Sequence, residues 1–326
     1  MGENNMWLKT AVAMAAAIGL AGCTSAPETG SSGSKVNPNS VKADDVVAGN
    51  YLDFDMCSLV DYTATAVGGM AKLLHPESFD ECAVHIDATS PASFTVGPFR
   101  ELTKRENTKP GVSGLPGGLT DLEVATFPGE CLHVITFVDK VELEIRVAPA
   151  KETPVAACDI ATKIVESVSA RARDGKGTPY KSPDAKSLRT LDACKLVAPE
   201  AVKGKATPTG MSKHACNWVG PDANSPTVRL ALTKGFTEGY TEEDLGAPET
   251  IAGKKRTFVN TTPAGAAPGT ACMVTLNHIR TKGVQQAIPE DEQAIVRVYG
   301  AAGGTADLCA LAKATANAAW PKLPVA

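Results

Sequence analysis

DMCSLV at 55–60 and DACKLV at 192–197 are two versions of one phrase. Each places Asp two residues ahead of Cys and has Leu-Val shortly after that Cys. A second pair lies downstream, EIRVAPA at 144–150 and IVRVYGA at 295–301. Each of these is followed by a Cys that opens a helical pattern, CDIATKIVESV from Cys158 and CALAKATANAA from Cys309. Self-similarity on this scale reads as one structural plan used twice. The cysteines fall in with it. Cys57, Cys82, Cys131 and Cys158 form one set, with gaps of 25, 49 and 27 residues; Cys194, Cys216, Cys272 and Cys309 form the other, with gaps of 22, 56 and 37.

Each copy reads helix, strands, helix. In the first, Asp55 is a candidate N-cap for an opening helix with Leu59, Val60 and Val67 as its apolar positions. Strands come next, near 82–86 and 93–99. CLHVITFV (131–138) is apolar on both alternations, as in a central strand buried on both faces. VELEIRV (141–147) alternates Val141, Leu143, Ile145 and Val147 with Glu142, Glu144 and Arg146, which predicts one wet face. A closing helix over about 154–172 lines up Ile160, Ile164, Val165 and Val168. The second copy repeats this with strands near 214–219, 227–233, 254–259, 271–278 and 293–299, and a helix over about 304–319. One-faced strands flanked by helices make an α+β fold, two tandem helix–antiparallel sheet–helix domains with two disulfides each.

The boundary falls in the Gly-, Pro- and charge-rich stretch 173–187, giving a first repeat over 44–176 and a second over 177–326. Ahead of them, TSAPETGSSGSKVNPNSVKA (24–43) has almost no large apolar residue and reads as a flexible tether. Each copy carries a Gly/Pro-rich loop before its third cysteine, at 107–118 and 260–269. Such loops either bind something or are tolerated surface insertions.

At the start of the chain, the apolar run Ala11–Leu20 is too short to span a bilayer and fits the h-region of a signal peptide. It ends in Leu20-Ala21-Gly22-Cys23, a pattern that resembles a bacterial lipobox. On that reading residues 1–22 are removed and Cys23 becomes the lipidated first residue, anchored at the outer face of the cytoplasmic membrane. The alternative is an ordinary secretory signal cleaved elsewhere. Outside the cytoplasm an even number of cysteines reads as disulfides, and removing Cys23 from nine leaves eight. Eight cysteines allow 105 pairings, and confinement within each repeat leaves nine of them. Packing favours Cys57–Cys82, Cys131–Cys158, Cys194–Cys216 and Cys272–Cys309. The closing helix must cover the sheet, which brings its first turn to the central strand, and the opening segment is then tied to the strand that comes after it.

The same residues carry a resemblance. A Cys-Ser/Lys-Leu-Val start, the later Cys216-Asn217-Trp218, a Cys-bearing strand and a Cys-led final helix are similar to an actinobacterial secreted lipoprotein family of unknown function. The plan also resembles the disulfide-stapled extracellular sensor domain of mycobacterial serine/threonine kinases. It covers about 50–172 and 188–322, once per copy. The first copy departs from it at Cys82-Ala83-Val84, with Val84 where the second has Trp218. The resemblance implies location and fold more than chemistry.

No catalytic motif emerges. Gly111-Val112-Ser113-Gly114 breaks the G-x-S-x-G spacing, and H-E-x-x-H, P-loop and G-x-G-x-x-G patterns are missing. There is no Cys-x-x-Cys, and the five histidines form no ligand pair at helical spacing, so no metal or cofactor is expected. His133, on the same strand face as Cys131, reads as a packing residue rather than a base. His75-Pro76-Glu77 reads as an exposed turn, while His85, His214 and His278 lie in or beside strands. Asp80-Glu81, Glu142/Glu144 and Glu242-Glu243-Asp244 read as solvated carboxylates rather than a catalytic pair.

Aromatics make up 5% of the chain, against a sugar-stacking surface. Residues 44–176 hold 21 acidic and 12 basic side chains, and 177–326 hold 13 and 17. Either the repeats dock on each other through this asymmetry, or the basic half faces an anionic envelope polymer or headgroup. Lys254-Lys255-Arg256 is the densest basic patch, or else a strand edge protected against pairing. The net charge of −4 and the location argue against nucleic acid. The expectation is a membrane-anchored, non-catalytic module that binds a small molecule or envelope protein, senses or scaffolds. A hydrolase with its site between the repeats is the alternative, and an accessory of a secretion or cell-wall complex is a third reading.

Overall fold

In the computed structural model, strands form where β-branched and aromatic residues alternate between turn residues, and all their pairings are antiparallel. The structure describes residues 36–61, 70–76, 78–87, 92–126, 128–149, 157–180, 184–202, 204–222, 224–236, 246–261, 270–281, 290–300 and 307–326. All of these lie in one compact unit, Ser34–Ala326. After a one-turn helix α1 (Ala43–Val46), strand β1 (Phe54–Asp55) pairs with β9 (Thr178–Pro179). The first large sheet comprises β2 (Met70–Pro76), β3 (Cys82–Asp87), β4 (Ala92–Glu101), β5 (Thr108–Pro110), β6 (Thr120–Val124), β7 (Cys131–Thr136) and β8 (Val141–Pro149). Their order is β2-β3-β4-β8-β7-β6-β5. The second comprises β10 (Lys205–Pro208), β11 (Ala215–Val219), β12 (Thr227–Phe236), β13 (Ala247–Ile251), β14 (Lys254–Asn260), β15 (Ala271–Thr281) and β16 (Glu290–Tyr299). Here the order is β10-β11-β12-β16-β15-β14-β13. The chain is thus a mixed helix-and-sheet protein, mostly antiparallel sheet.

Helix α2 (Ala157–Arg173) lies on β7 and β8, burying Ile160, Ile164, Val165 and Val168. Asp159 in its first turn and Arg171 and Arg173 in its last complement the helix dipole. After the short α3 (Pro199–Val202), helix α4 (Leu308–Ala319) lies on β15 and β16. Asp307 caps α4, accepting from the Ala310 amide at 2.9 Å.

The four disulfides are Cys57–Cys82, Cys131–Cys158, Cys194–Cys216 and Cys272–Cys309, with Cα atoms 5.0–5.2 Å apart. Two tie the first turn of a long helix to the strand beneath it. The other two tie a one-turn 3-10 segment to β3 or β11.

Several expectations are corrected. Asp55 does cap, accepting from the Cys57 amide at 3.0 Å, but it opens only one 3-10 turn, Met56–Leu59, which ends in extended Val60. The β-branched residues and Gly68-Gly69 beyond it are poor helix formers; Val67 lies outside the described residues. The matching segment, Ala193–Lys195, is also a single 3-10 turn. Glu142 and Glu144 are not wet: Arg105 covers both at 2.9 Å, and they are buried while Arg146 stays exposed. His75 lies in β2, paired with Ala83, rather than in a turn. Lys254-Lys255-Arg256 begins β14 ahead of its pairing with β15, which starts at Thr257; of the three only Lys254 pairs, with Ile251 of β13, and Lys255 and Arg256 are exposed, as the edge reading expects. The expected tether is packed over its last residues: Val41 is fully buried, and its amide donates to the Gly117 carbonyl at 2.9 Å. Val36 and Val41 are the apolar exceptions in that polar stretch.

Candidate functional site at the junction of the two sheets

The two buried cores meet where a turn of the first sheet reaches the second. Phe79 lies in the turn between β2 and β3, yet it belongs to the core built on β11, β12, β15 and β16. The turn is held from behind by Gly97. At φ +118°, with the Asp80 carbonyl 2.1 Å from where a Cβ would stand, this position takes only glycine. The next residue, Asp80, receives His214 Nδ1 at 2.6 Å. His214 is buried, and its Nε2 lies 2.5 Å from the Arg189 carbonyl. A backbone carbonyl can only accept, so Nε2 donates to Arg189, while Nδ1 faces the Asp80 carboxyl group.

Arg189 stands beside it, 4% exposed. Its Nη2 donates to the Phe54 carbonyl at 2.5 Å, and its guanidinium lies 4.0 Å over the Tyr180 ring and 5.7 Å from that of Phe79. Burial pushes its pKa down, partly opposed by Tyr180 and by the carboxylates of Asp55, Asp53 and Asp80. The pairing of β1 with β9 and the Met211 amide donating to the Phe99 carbonyl at 3.0 Å complete the clasp.

A narrow recess with room for about one water molecule opens at this junction, lined by Tyr51, Phe54, Met56, Phe79, Phe99, Asp80 and Ser212. Phe99 is the hub of its wall, with Tyr51 and Phe54 edge-on at 5.5 and 5.8 Å. The Tyr51 hydroxyl donates to Asp44 Oδ1 at 2.8 Å, and burial first, then Asp44, raises its pKa, so it stays a neutral phenol.

A second polar cluster lies under the loop at 107–118. His133 Nδ1 is 2.6 Å from Asp121 Oδ2, which also accepts from the Val112 amide at 2.8 Å. Both side chains are buried, and His133 Nε2 has no hydrogen-bond partner among the described residues. Gly111 is needed there, because a Cβ would stand 2.0 Å from Asp121 Oδ2. Nearby, a Glu123 oxygen and the sulfurs of Cys131 and Cys158 lie within 4.8 Å of one another. The sulfurs are bonded to each other and offer no thiolate to a metal.

Of the residues singled out in the sequence, Cys23 and Glu242-Glu243-Asp244 lie outside the described residues, as does most of the loop at 260–269. Arg256 pairs with buried Asp291 at 2.8 Å, and Lys254 Nζ reaches the Pro324 carbonyl at 3.5 Å. His278 Nε2 lies 2.8 Å from the Lys186 carbonyl. His85 pairs with Ser93 across β3 and β4. Asp80 is not a solvated carboxylate but the partner of His214. Sequence reasoning missed Phe79, Tyr180 and Arg189. The one available signal was Phe79 itself, a lone aromatic in the polar turn Ser78-Phe79-Asp80.

No family model matches the chain, and no curated protein matches it. Among solved structures, the crystal structure of DynU16, a putative protein in the dynemicin biosynthetic locus, aligns at 10% identity over 79% of this chain and 86% of that one. At a TM-score of 0.15 it carries no argument.

Proposed function

We propose that this chain is a lipoprotein anchored through Cys23 outside the cytoplasmic membrane, and that its two sheets are tandem copies of one plan, 44–176 and 177–326, clasped into a non-catalytic binding module. Four disulfides support an oxidising compartment. Among the described residues no helix is long and apolar enough to cross a membrane. The matching strand orders and matching disulfide positions support the tandem reading.

The observation that carries the binding assignment is the cleft. Four aromatic side chains of a chain with only 8 Phe, 5 Tyr and 3 Trp converge there around one carboxylate. An apolar wall with a few convergent polar groups is the lining composition of a small-ligand site, here in a recess with room for about one water molecule. A hydrolase at this junction is less well supported. His214 has both ring nitrogens engaged, by Asp80 and Arg189, and neither is left to serve a nucleophile.

Two measurements test the proposal. Cys23→Ser should release the protein from membranes or leave it as uncleaved precursor; unchanged processing and membrane retention would overturn the anchor. Screening small fragments against the full chain by amide chemical shifts should move Asp80, Phe99 and Ser212 together. Hits that cluster elsewhere would overturn the cleft assignment.

A further inference from the structure

We propose that the outward face of the second sheet, the side away from α4, carries a binding site for a phosphoryl group built on Arg229 of β12 and Arg297 of β16. The site is separate from the recess at the junction and does not rest on it.

Three observations carry it. The first is a pairing of like charges. Val228, Leu230, Val296 and Val298 are buried in the core that α4 covers, so Arg229 and Arg297 between them point the other way. They are direct cross-strand partners. Like charges so placed stand about 5 Å apart at Cβ and repel each other. No carboxylate in their row offsets them: it runs Thr207, Asn217, Arg229, Arg297, Met273, Asn260 across the sheet. Lys205, in the next row beside Val219, adds a third cation. Among the described strand residues Asp291 is the one carboxylate on this face, and Arg256 and Arg280 meet it at the far end of β16. Asp222, in the turn between β11 and β12, accepts from the Asn224 amide of that turn. Arg229 is exposed and makes no hydrogen bond or ion pair among the described residues. Half-buried Arg297 reaches only neutral acceptors, with Nε and Nη2 3.4 Å from Met273 Sδ and Nη1 3.4 Å from the Tyr299 hydroxyl.

The second is the same place in the first sheet. There Arg146 of β8 stands where Arg297 does, just before the valine that pairs with the strand cysteine, Val147 with Cys131 and Val298 with Cys272. Its cross-strand partner on β4 is Thr95, and its Nη1 donates to Glu130 Oε2 at 3.3 Å. Glu130 immediately precedes Cys131, whereas Ala271 precedes Cys272. The second sheet therefore has a second cation where the first has Thr, and Ala where the first has the neutralising carboxylate. Folding alone favours the first arrangement; the second leaves two guanidiniums to be neutralised from outside. The third is donor geometry. Planar guanidinium forks match the oxygens of a phosphoryl group. Met273 and Tyr299 hold that of Arg297, and the Tyr299 hydroxyl, which accepts from it, keeps its own hydrogen to donate. A phosphate monoester, close to a dianion at neutral pH, neutralises both arginines, and a carboxylate only one. Exposed Val219 and Tyr299 offer an apolar shoulder to whatever carries the phosphoryl group.

Titration of the full chain with inorganic phosphate at neutral pH and low ionic strength, followed by the arginine Nε–H signals, tests this. Arg229 and Arg297 should shift together, with a dissociation constant on the order of 1 mM for so small a ligand. Acetate at the same ionic strength should bind at least about fivefold more weakly. Arg229→Thr, which installs the residue of the first sheet, should weaken phosphate about tenfold. Its melting temperature without phosphate should not fall, because the change removes a repulsion and no bond. Arg229→Lys keeps the charge without the fork and should weaken phosphate about threefold. Vesicles containing phosphatidic acid separate two sources of the group: capture that depends on Arg229 identifies a lipid headgroup, and phosphate binding without capture a soluble ester, each within the proposal. Acetate binding within about twofold of phosphate would overturn the phosphoryl assignment. No shift at these two arginines, or unchanged phosphate binding in Arg229→Thr, would overturn the site. A lower melting temperature of Arg229→Thr without phosphate would overturn it as well, by showing that Arg229 serves the fold.

Discussion

Helix α2 packs on the first sheet through Ile160, Ile164, Val165 and Val168, whereas α4 packs on the second through Ala312, Ala316 and Ala319. The strand orders match, so the space between helix and sheet has to be filled in two ways. In the first sheet the helix brings the volume. In the second the helix is small-faced, and two fully buried indoles, Trp218 on β11 and Trp320 just past α4, supply it. The two halves divide the buried volume between helix and indoles differently, and the disulfide from helix to strand stands in the same place in both. Polar groups divide differently too. Two residues after its strand cysteine, the first sheet has His133 bonded to Asp121; the second has Val274 at that position. On the outward faces, Arg105 neutralises Glu142 and Glu144 in the first sheet, while Arg256 and Arg280 meet Asp291 in the second. A shared topology therefore specifies register and crosslinks, not the chemistry of either face.

The comparison is most exposed to failure at Phe79, which comes from the first sheet's segment but packs in the second core. Phe79→Ala should cost about 3–5 kcal/mol. Hydrogen exchange should show the loss of protection in β11 and β12 rather than in β3 and β4. Loss confined to β3 and β4 would mean the cores are independent of each other.

The helix-to-strand disulfides come next. Replacing Cys131 and Cys158 together, or Cys272 and Cys309 together, by Ala should each destabilise by about 3–4 kcal/mol, because loops of 27 and 37 residues differ little in closure entropy. Thermal melts of both variants should fall by similar amounts. A much larger drop for one would show that its helix depends on the crosslink where the other is held by packing.

A smaller effect is expected at the clasp. Arg189→Met keeps the stem over Tyr180 but removes the donor to the Phe54 carbonyl, leaving that carbonyl unpaired, for about 1–3 kcal/mol. Amide exchange at Thr178 and Tyr180 should quicken before that of either large sheet. Uniform quickening would sink the reading of Arg189 as a local clasp.

The smallest expected effects are in pH dependence and concern the second sheet. Burial holds the Glu292 carboxyl above its usual 4.5, against the Leu188 amide and the Ser187 hydroxyl that bond it. Between 4.5 and the raised value the folded state binds more protons than the unfolded chain, so this group lowers stability as pH rises through that window. Burial lowers His278 below 6.5. The unfolded chain then binds more protons, and stability falls as pH drops through the window below 6.5. Glu292→Gln and His278→Gln should each flatten the corresponding part of the melting-temperature profile. An unchanged profile in both would remove these groups from the account.

Much of the fold was legible because its signals are local. The two-sided apolar run at 131–138, the period-2 alternation at 141–147, the apolar stripe of 160–168 and the cysteine spacings each reflect a constraint that acts within a few residues or a single loop. They led to the central strands, the closing helices and the four disulfide pairs. The opening helix was misread because an Asp cap is equally at home on a single 3-10 turn. The burial of Glu142 and Glu144 was not legible, since alternation says which side chains share a face but not what Arg105, some forty residues away in the chain, lays over that face.

The junction belongs wholly to the second category. Asp80 and His214 are separated by 134 residues, and Phe54 and Arg189 by 135. Nothing in the composition of either segment distinguishes these groups from solvated charges. Their roles come from desolvation: once the sheets bring them together away from water, a carboxylate, an imidazole and a guanidinium must satisfy one another or leave buried polar atoms unpaired. The sequence by itself determined the central strands, the closing helices and the crosslinks, because those depend on short-range periodicity and loop closure; the outer strands Met70–Pro76, Thr108–Pro110, Thr120–Val124, Lys205–Pro208 and Ala247–Ile251 carry no such signal. Only the tertiary structure decided which polar side chains became a clasp and which aromatic ones a cleft, because that depends on what packs against them.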